Sequence, residues 1–169
     1  LAQCRGTLIA RMDADDLMHR ERLARQVESL DRDVSLAGVG SHVRLFPRAH
    51  LADGRRRYEA WLNSIVSADD VRREAFVECP LAHPTLLLRR ATLERHGYRD
   101  AGWAEDYDLV LRLLAAGERL AVVPQRLLAW RDHEMRLSRT GSAYSIDGFT
   151  RCKAAFLASG FLAGSERYV

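Results

Sequence analysis

The sequence predicts an α/β fold, and three observations carry that expectation. Short apolar runs alternate with stretches of helical spacing. The chain has 169 residues, enough for one domain with its own core. The first apolar run, Leu8 to Met12, stops abruptly at Asp13-Ala14-Asp15-Asp16. Acids at the end of a strand stand where open α/β sheets bind their ligands.

The elements follow in order. Leu8–Met12 reads as a buried strand. Arg20–Leu30 has helical spacing, with Leu23, Val27 and Leu30 on one stripe. Leu36–Phe46 is β-like despite Gly38 and Gly40, and Pro47 ends it. Leu51–Arg57 is expected to be a polar, arginine-rich loop and Tyr58–Val66 a helix. Ser67 then reads as the N-cap of a helix to about Val77, with Asp69 and Asp70 in its first turn. Pro80–Pro84 is an irregular loop carrying His83. Thr85–Leu88 is a short strand, and Ala91–His96 a short helix stopped by Gly97. Glu105–Ala116 is the clearest helix, with Leu109, Leu113 and Leu114 inward and Gly117 behind it. Leu120–Val123 and Leu127–Arg131 are expected as strands on either side of Pro124. Ser142–Leu162 is expected to be mostly helical.

Composition narrows the function classes. Hydrophobic residues make up 47% and charged residues 29%, as in soluble globular domains. The net charge of +3 rests on arginine, since Lys153 is the only lysine. Scattered arginines usually solvate a surface; a phosphate-bearing ligand is the next reading, and nucleic acid a weaker one. Cys4, Cys79 and Cys152 have neither disulfide-framework nor zinc-ligand spacing, which suits a reducing, cytoplasmic setting. No run resembles a membrane span or a signal peptide. The chain starts without Met, and its first α/β unit is expected to be missing, as in a fragment of a longer protein.

Two acidic clusters carry the chemistry. Asp13 and Asp15 lie two apart, a spacing that in extended backbone turns both carboxylates to one side. Such hard oxygen ligands suit Mg²⁺ or Mn²⁺. The plainer alternative is that Asp15 or Asp16 caps the next helix, and Asp16 is the one given the structural role. Glu105, Asp106 and Asp108 open the clearest helix. Acids there offset the helix dipole, but three in four positions exceed what capping needs. Trp103 and Tyr107 beside them could form an apolar wall or a sugar-stacking surface. Trp130-Arg131-Asp132-His133 ends a strand, and a polar loop follows to Ser138. There His133 could complete a metal site or touch a diphosphate. A lone loop histidine is more often simply hydrogen-bonded, and His83 carries the same ambiguity.

Taken in order, these pieces resemble glycosyltransferase family 2, the inverting group with the GT-A fold. The pieces are Met12-Asp13-Ala14-Asp15-Asp16 with Arg22-Leu23 and Gln26; His83 before a strand ending in Arg89-Arg90; Gly97-Tyr98; Ala104-Glu105-Asp106-Tyr107-Asp108-Leu109 with Arg112-Leu113; and Trp130-Arg131-Asp132-His133 with Ser138. The resemblance covers roughly Ala2 to Ser138. It implies a partial GT-A fold lacking the first βαβ nucleotide-binding unit, with residues 1–140 as the C-terminal part of that domain and 141–169 as a helical extension. It implies transfer of a single sugar from a nucleotide-sugar donor to a hydroxyl of a glycan, lipid-linked or other acceptor. Asp106 would be the general base. Asp15, Asp13 and His133 would form the site for Mg²⁺ or Mn²⁺, with Asp15 the direct ligand, Asp13 reaching the ribose or the metal, and His133 near metal and diphosphate. Asp13, Asp15, Glu105, His83, Trp103 and Arg131 would contact substrate, His83 towards the acceptor. The Gln-x-x-Arg-Trp signature of processive synthases is absent, so single transfer is expected over polymerisation. The setting would be cytoplasmic, compatible with peripheral association at the inner membrane face.

The alternatives are a truncated, inactive transferase domain serving as a scaffold, an Asp-x-Asp phosphatase and a basic nucleic-acid binder. The phosphatase reading lacks the Gly and Thr or Ser after the acids, and no acidic pair follows Lys153. The nucleic-acid reading rests on Arg55-Arg56-Arg57 without interleaved aromatics.

Overall fold

The computed structural model describes residues 1–133 and 141–158. Ser138 and the expected helical stretch beyond Ala158 lie outside the described residues. The chain forms a mixed sheet of β1 (Leu8–Ala10), β2 (Leu17–Met18), β3 (Leu36–Phe46), β4 (Leu87–Arg89) and β5 (Arg119–Arg131), in spatial order β1-β4-β3-β5-β2. Only β3 and β5 run parallel; the other neighbouring pairs are antiparallel. Around the sheet lie α1 (Arg22–Arg32), α2 (Asp53–Leu62), α3 (Ala68–Glu74), α4 (Arg90–His96), α5 (Glu105–Ala115) and α6 (Ile146–Ala158).

The apolar pattern explains the layers. Leu30 of α1 packs with Leu36, Val39 and Leu87. A larger cluster joins Leu88, Leu93, the inward leucines of α5, Leu120 and Val122, and it takes in Cys152 and Phe156 of α6. A third cluster, at the far ends of β3 and β5, gathers Val43, Leu45, Leu62, Leu128 and Trp130.

Several elements differ from expectation. In α1 the inward positions are Arg22, Gln26 and Leu30, while Leu23 is exposed. The burial of two polar residues is explained by their bonds. Gln26 donates to the carbonyls of Val39 and Thr85 at 3.2 and 2.7 Å and accepts from Arg22, which also donates to the Arg11 carbonyl at 2.7 Å. The stretch expected as a loop over Leu51–Arg57 instead enters α2 at Asp53. Pro124 does not split a strand. The register jumps from Ser41–Val123 to His42–Arg126, so Pro124 sits in an irregularity where no ladder donor is required. Thr85 belongs to a 3-10 turn, His83–Thr85, rather than to β4. Ser67 caps α3 as expected, in a reciprocal pair with Asp70.

Glycine accounts for two close approaches. A Cβ on Gly38 would lie 2.9 Å from the Leu87 carbonyl oxygen, and one on Gly40 would lie 2.7 Å from Leu81. Their absence lets β4 and the loop before the 3-10 turn lie directly on β3. That loop delivers His83.

Candidate functional site

The first acidic cluster is a turn rather than an extended strand end. The Asp16 amide donates to the Asp13 carbonyl at 3.4 Å, and β2 follows at once. The turn converges the acids: oxygens of Asp13, Asp15 and Asp16 all lie within 4.8 Å of one another. Asp16 caps no helix, since α1 begins after Glu21. It is buried, and its carboxylate accepts from the Arg131 amide at 2.8 Å, tying the turn to the end of β5. Its structural role is therefore a strand anchor. Arg131 adds a second tie, donating through Nε to the Asp15 carbonyl at 2.8 Å. His133 lies 3.2 Å from the Asp15 carboxylate, and Arg11 pairs with Asp13 at 2.6 Å.

The second acidic cluster divides its labour. Asp108 is wholly buried and receives Arg99, Arg112 and the Trp103 indole N–H at 2.7–3.0 Å. Burial works to raise its pKa, but these donors outweigh it and hold the carboxyl below its ordinary value. Arg112 also donates to the Gly97 carbonyl at 2.6 Å. Asp108 thus anchors the loop that follows α4. Tyr107, expected as a wall or stacking surface, is instead buried in the core with its hydroxyl on the Ala75 carbonyl at 2.6 Å.

Asp106 faces the other way, into a cavity of about 820 Å³. Burial, opposed by the Tyr107 amide and reinforced by the Glu105 charge, lifts its pKa to about 6. Glu105 accepts from the Tyr144 hydroxyl at 2.7 Å. His83 Nδ1 stands 3.9 Å from Asp106, and burial, aided by the Arg11 charge, drops the histidine to about 3.

The same cavity is lined by Asp13, Asp15, Arg131 and His133 at one part and His83, Glu105 and Asp106 at another. The two acidic clusters, some ninety residues apart in sequence, therefore share one space. Trp103 instead lines a second, more open groove with Tyr98, Arg99 and Glu105. Sequence reasoning assigned no role to Arg11, Tyr98 or Tyr144, or to the α6 residues Phe149 and Lys153, which form part of the cavity wall. Arg11 was within reach, being the one cation inside the first apolar run; the α6 residues carry no pattern beyond helical spacing.

The mixed sheet with its flanking helices is that of a partial GT-A-like α/β fold. The structure of S. aureus TarS residues 1–349 in complex with UDP-GlcNAc superposes with a TM-score of 0.63 at 16% identity, over 92% of this chain and 44% of that one. TarS 1–349 in a second structure gives 0.58 at 14% identity. In sequence, the chain is 27% identical over 169 residues to the amylovoran biosynthesis glycosyltransferase AmsE of Erwinia amylovora, covering 98% of this chain and 61% of that protein. It is 28% identical over 148 residues to the O-antigen biosynthesis glycosyltransferase WbnJ of Escherichia coli, covering 85% of this chain and 55% of that protein. No family model matches. The chain is thus similar to glycosyltransferases and spans little more than half the length of these curated relatives.

Proposed function

We propose that this chain is the catalytic part of an inverting glycosyltransferase of family 2 that moves a single sugar from a nucleotide-sugar donor to an acceptor hydroxyl. Supporting this reading above all is the meeting of Asp13, Asp15 and His133 with Asp106 and His83 around one cavity. One part of that cavity offers carboxylates for a cation and its bound diphosphate; another offers a half-buried carboxylate whose pKa is raised to about 6.

The clustered oxygens of Asp13 and Asp15 fit a hard divalent cation, Mg²⁺ or Mn²⁺, with His133 alongside. Bound there, such an ion would act as a Lewis acid on the leaving diphosphate. Asp106 takes the proton of the acceptor hydroxyl. The acceptor oxygen bonds to the anomeric carbon from the face opposite the leaving group. The carbon–oxygen bond to the diphosphate breaks, and its electron pair leaves with the nucleotide. A base with pKa about 6 is ionised at neutral pH yet still basic enough to accept that proton. Glu105 and Arg131 border the same space, and Trp103 offers an aromatic edge in the adjoining groove.

The acceptor is a hydroxyl of a growing surface glycan or its lipid-linked precursor, in keeping with the names of AmsE and WbnJ. No helix among the described residues is long and apolar enough to cross a membrane, and peripheral association at the inner membrane face is compatible with this. The test is to incubate the gene product at its natural length with Mn²⁺ and a panel of UDP-, GDP- and dTDP-sugars. The readouts are nucleoside diphosphate release and, by NMR, the anomeric configuration of the product. Release with inversion supports the reading. Retention overturns the mechanism, and no release with any donor favours the inactive scaffold.

A further inference from the structure

Tyr98 lines the second groove and is hydrogen-bonded to His83, which lines the main cavity. Gly97 ends α4 with φ of 51°, a backbone state open to glycine at little cost, and turns the chain back toward the site. The Arg112 bond to the Gly97 carbonyl fixes that turn. The Tyr98 ring borders the outer groove, while its hydroxyl lies 2.8 Å from His83 Nε2. The other ring nitrogen of His83, Nδ1, faces Asp106 at 3.9 Å.

We propose that Tyr98 and His83 form a positioning relay in which the Tyr98 hydroxyl donates to His83 Nε2, fixing the imidazole proton on Nδ1 against the Asp106 carboxylate. The inference rests on the reading of Asp106 as the base, and it assigns a role to Tyr98 that the acidic motifs do not contain.

Asp106 and Tyr98, one at each ring nitrogen, choose the tautomer together. His83 is buried and stays neutral at physiological pH, so it carries one ring proton. A proton on Nδ1 points at an anion; a lone pair there would point at the same anion and repel it. With Nδ1 protonated, Nε2 must accept, and the Tyr98 hydroxyl is the donor within reach. Tyr98 is 43% exposed, but its hydroxyl, turned to His83, is desolvated enough that its pKa is pushed up to about 12, and it stays protonated. The 3.9 Å gap is longer than a hydrogen bond, as catalytic contacts often are before substrate binds. The relay opposes the burial that lifts Asp106 and helps to keep it ionised.

Other groups also act on Asp106. Arg11 approaches from the end of β1 and Glu105 from α5. Tyr58 of α2, Cys79 before the 3-10 turn, Tyr144 before α6 and Cys152 within it all feel its charge. Glu78 and Lys153 face the same cavity. All are common to the wild type and Tyr98→Phe, so the difference between the two reads the Tyr98 hydroxyl, whose charge-sensitive proton also feels Asp106 directly, and the His83 tautomer shows that it acts through the imidazole.

The experiment is NMR on the natural-length gene product, without substrate. Nitrogen-15 shifts of labelled histidine report which ring nitrogen of His83 carries the proton, and carbon-13 carboxyl shifts report the titration midpoint of Asp106. The expected wild-type result is a protonated Nδ1 and a bare Nε2. In Tyr98→Phe the proton redistributes toward Nε2, and the Asp106 midpoint rises by about half a pH unit or more. A wild-type proton on Nε2, or an unmoved midpoint in the variant, overturns the relay. Should Tyr98→Phe fail to fold, the wild-type tautomer decides alone. Neither readout needs turnover, so failure of the relay leaves the sugar-transfer reading to its own test.

Discussion

Burial sets the protonation of Asp106, and stability and activity respond to it in opposite directions. Its folded pKa of about 6 lies above the unfolded value of 3.8, so the folded chain holds this proton more tightly. The stability this group contributes is full below pH 3.8 and is lost as pH rises through 6. A shift of this size corresponds to ~3 kcal/mol as an upper bound. Asp106→Asn keeps an oxygen for the Tyr107 amide and removes the half-buried charge. It should therefore be more stable than wild type at pH 8, with the difference shrinking toward zero near pH 4, as urea melts at the two pH values would show. At pH 8 the opposing titration of His83, whose folded pKa is lowered, contributes to neither protein, so the comparison there isolates Asp106. Equal stabilities at pH 8 would mean that burial does not penalise this carboxylate. At the other cluster, Asp15→Ala should weaken Mn²⁺ binding in the presence of a nucleoside diphosphate at least ten-fold by calorimetry; unchanged binding would remove Asp15 from the cation site.

At the scale of elements, close contacts hold the site's loops in place. A Cβ on Gly38 meets a backbone oxygen of β4 that cannot swing away, so Gly38→Ala should cost about 1–3 kcal/mol in a urea melt; a loss below a few tenths would show that β4 can shift freely. Gln26→Leu strips the buried Val39 and Thr85 carbonyls of their donor and should cost a similar amount. Most elements were legible in the sequence because period and punctuation agree: β3, α5 and the Ser67 cap stand where apolar spacing, Gly117 and the capping pair put them. The misreadings have physical causes. Arg22 and Gln26 look like surface residues until their partners, distant in sequence, are known. Arg55-Arg56-Arg57 reads as loop by charge although arginine is a good helix former. Leu17 and Met18 form β2 only because β5 passes beside them, and both remain exposed.

For the molecule as a whole, the candidate site was legible as chemistry and not as geometry. Both acidic clusters stand out in the sequence, yet nothing local separates Asp106, which faces the cavity, from Asp108, which Arg99, Arg112 and Trp103 hold inside. Nor does the sequence show that α6 closes part of the cavity wall, because its Phe149 and Lys153 acquire a role only through packing. If Asp106 is the base, turnover should rise with pH around a midpoint near 6, since only the ionised form accepts the proton. The most direct test is the turnover of Asp106→Asn in the natural-length gene product, with the donor that the panel identifies. A loss of a hundred-fold or more in kcat, with donor affinity little changed, is the predicted result. Activity within a few-fold of wild type would contradict the assignment and move the base to Glu105, the other carboxylate of α5 that faces the cavity.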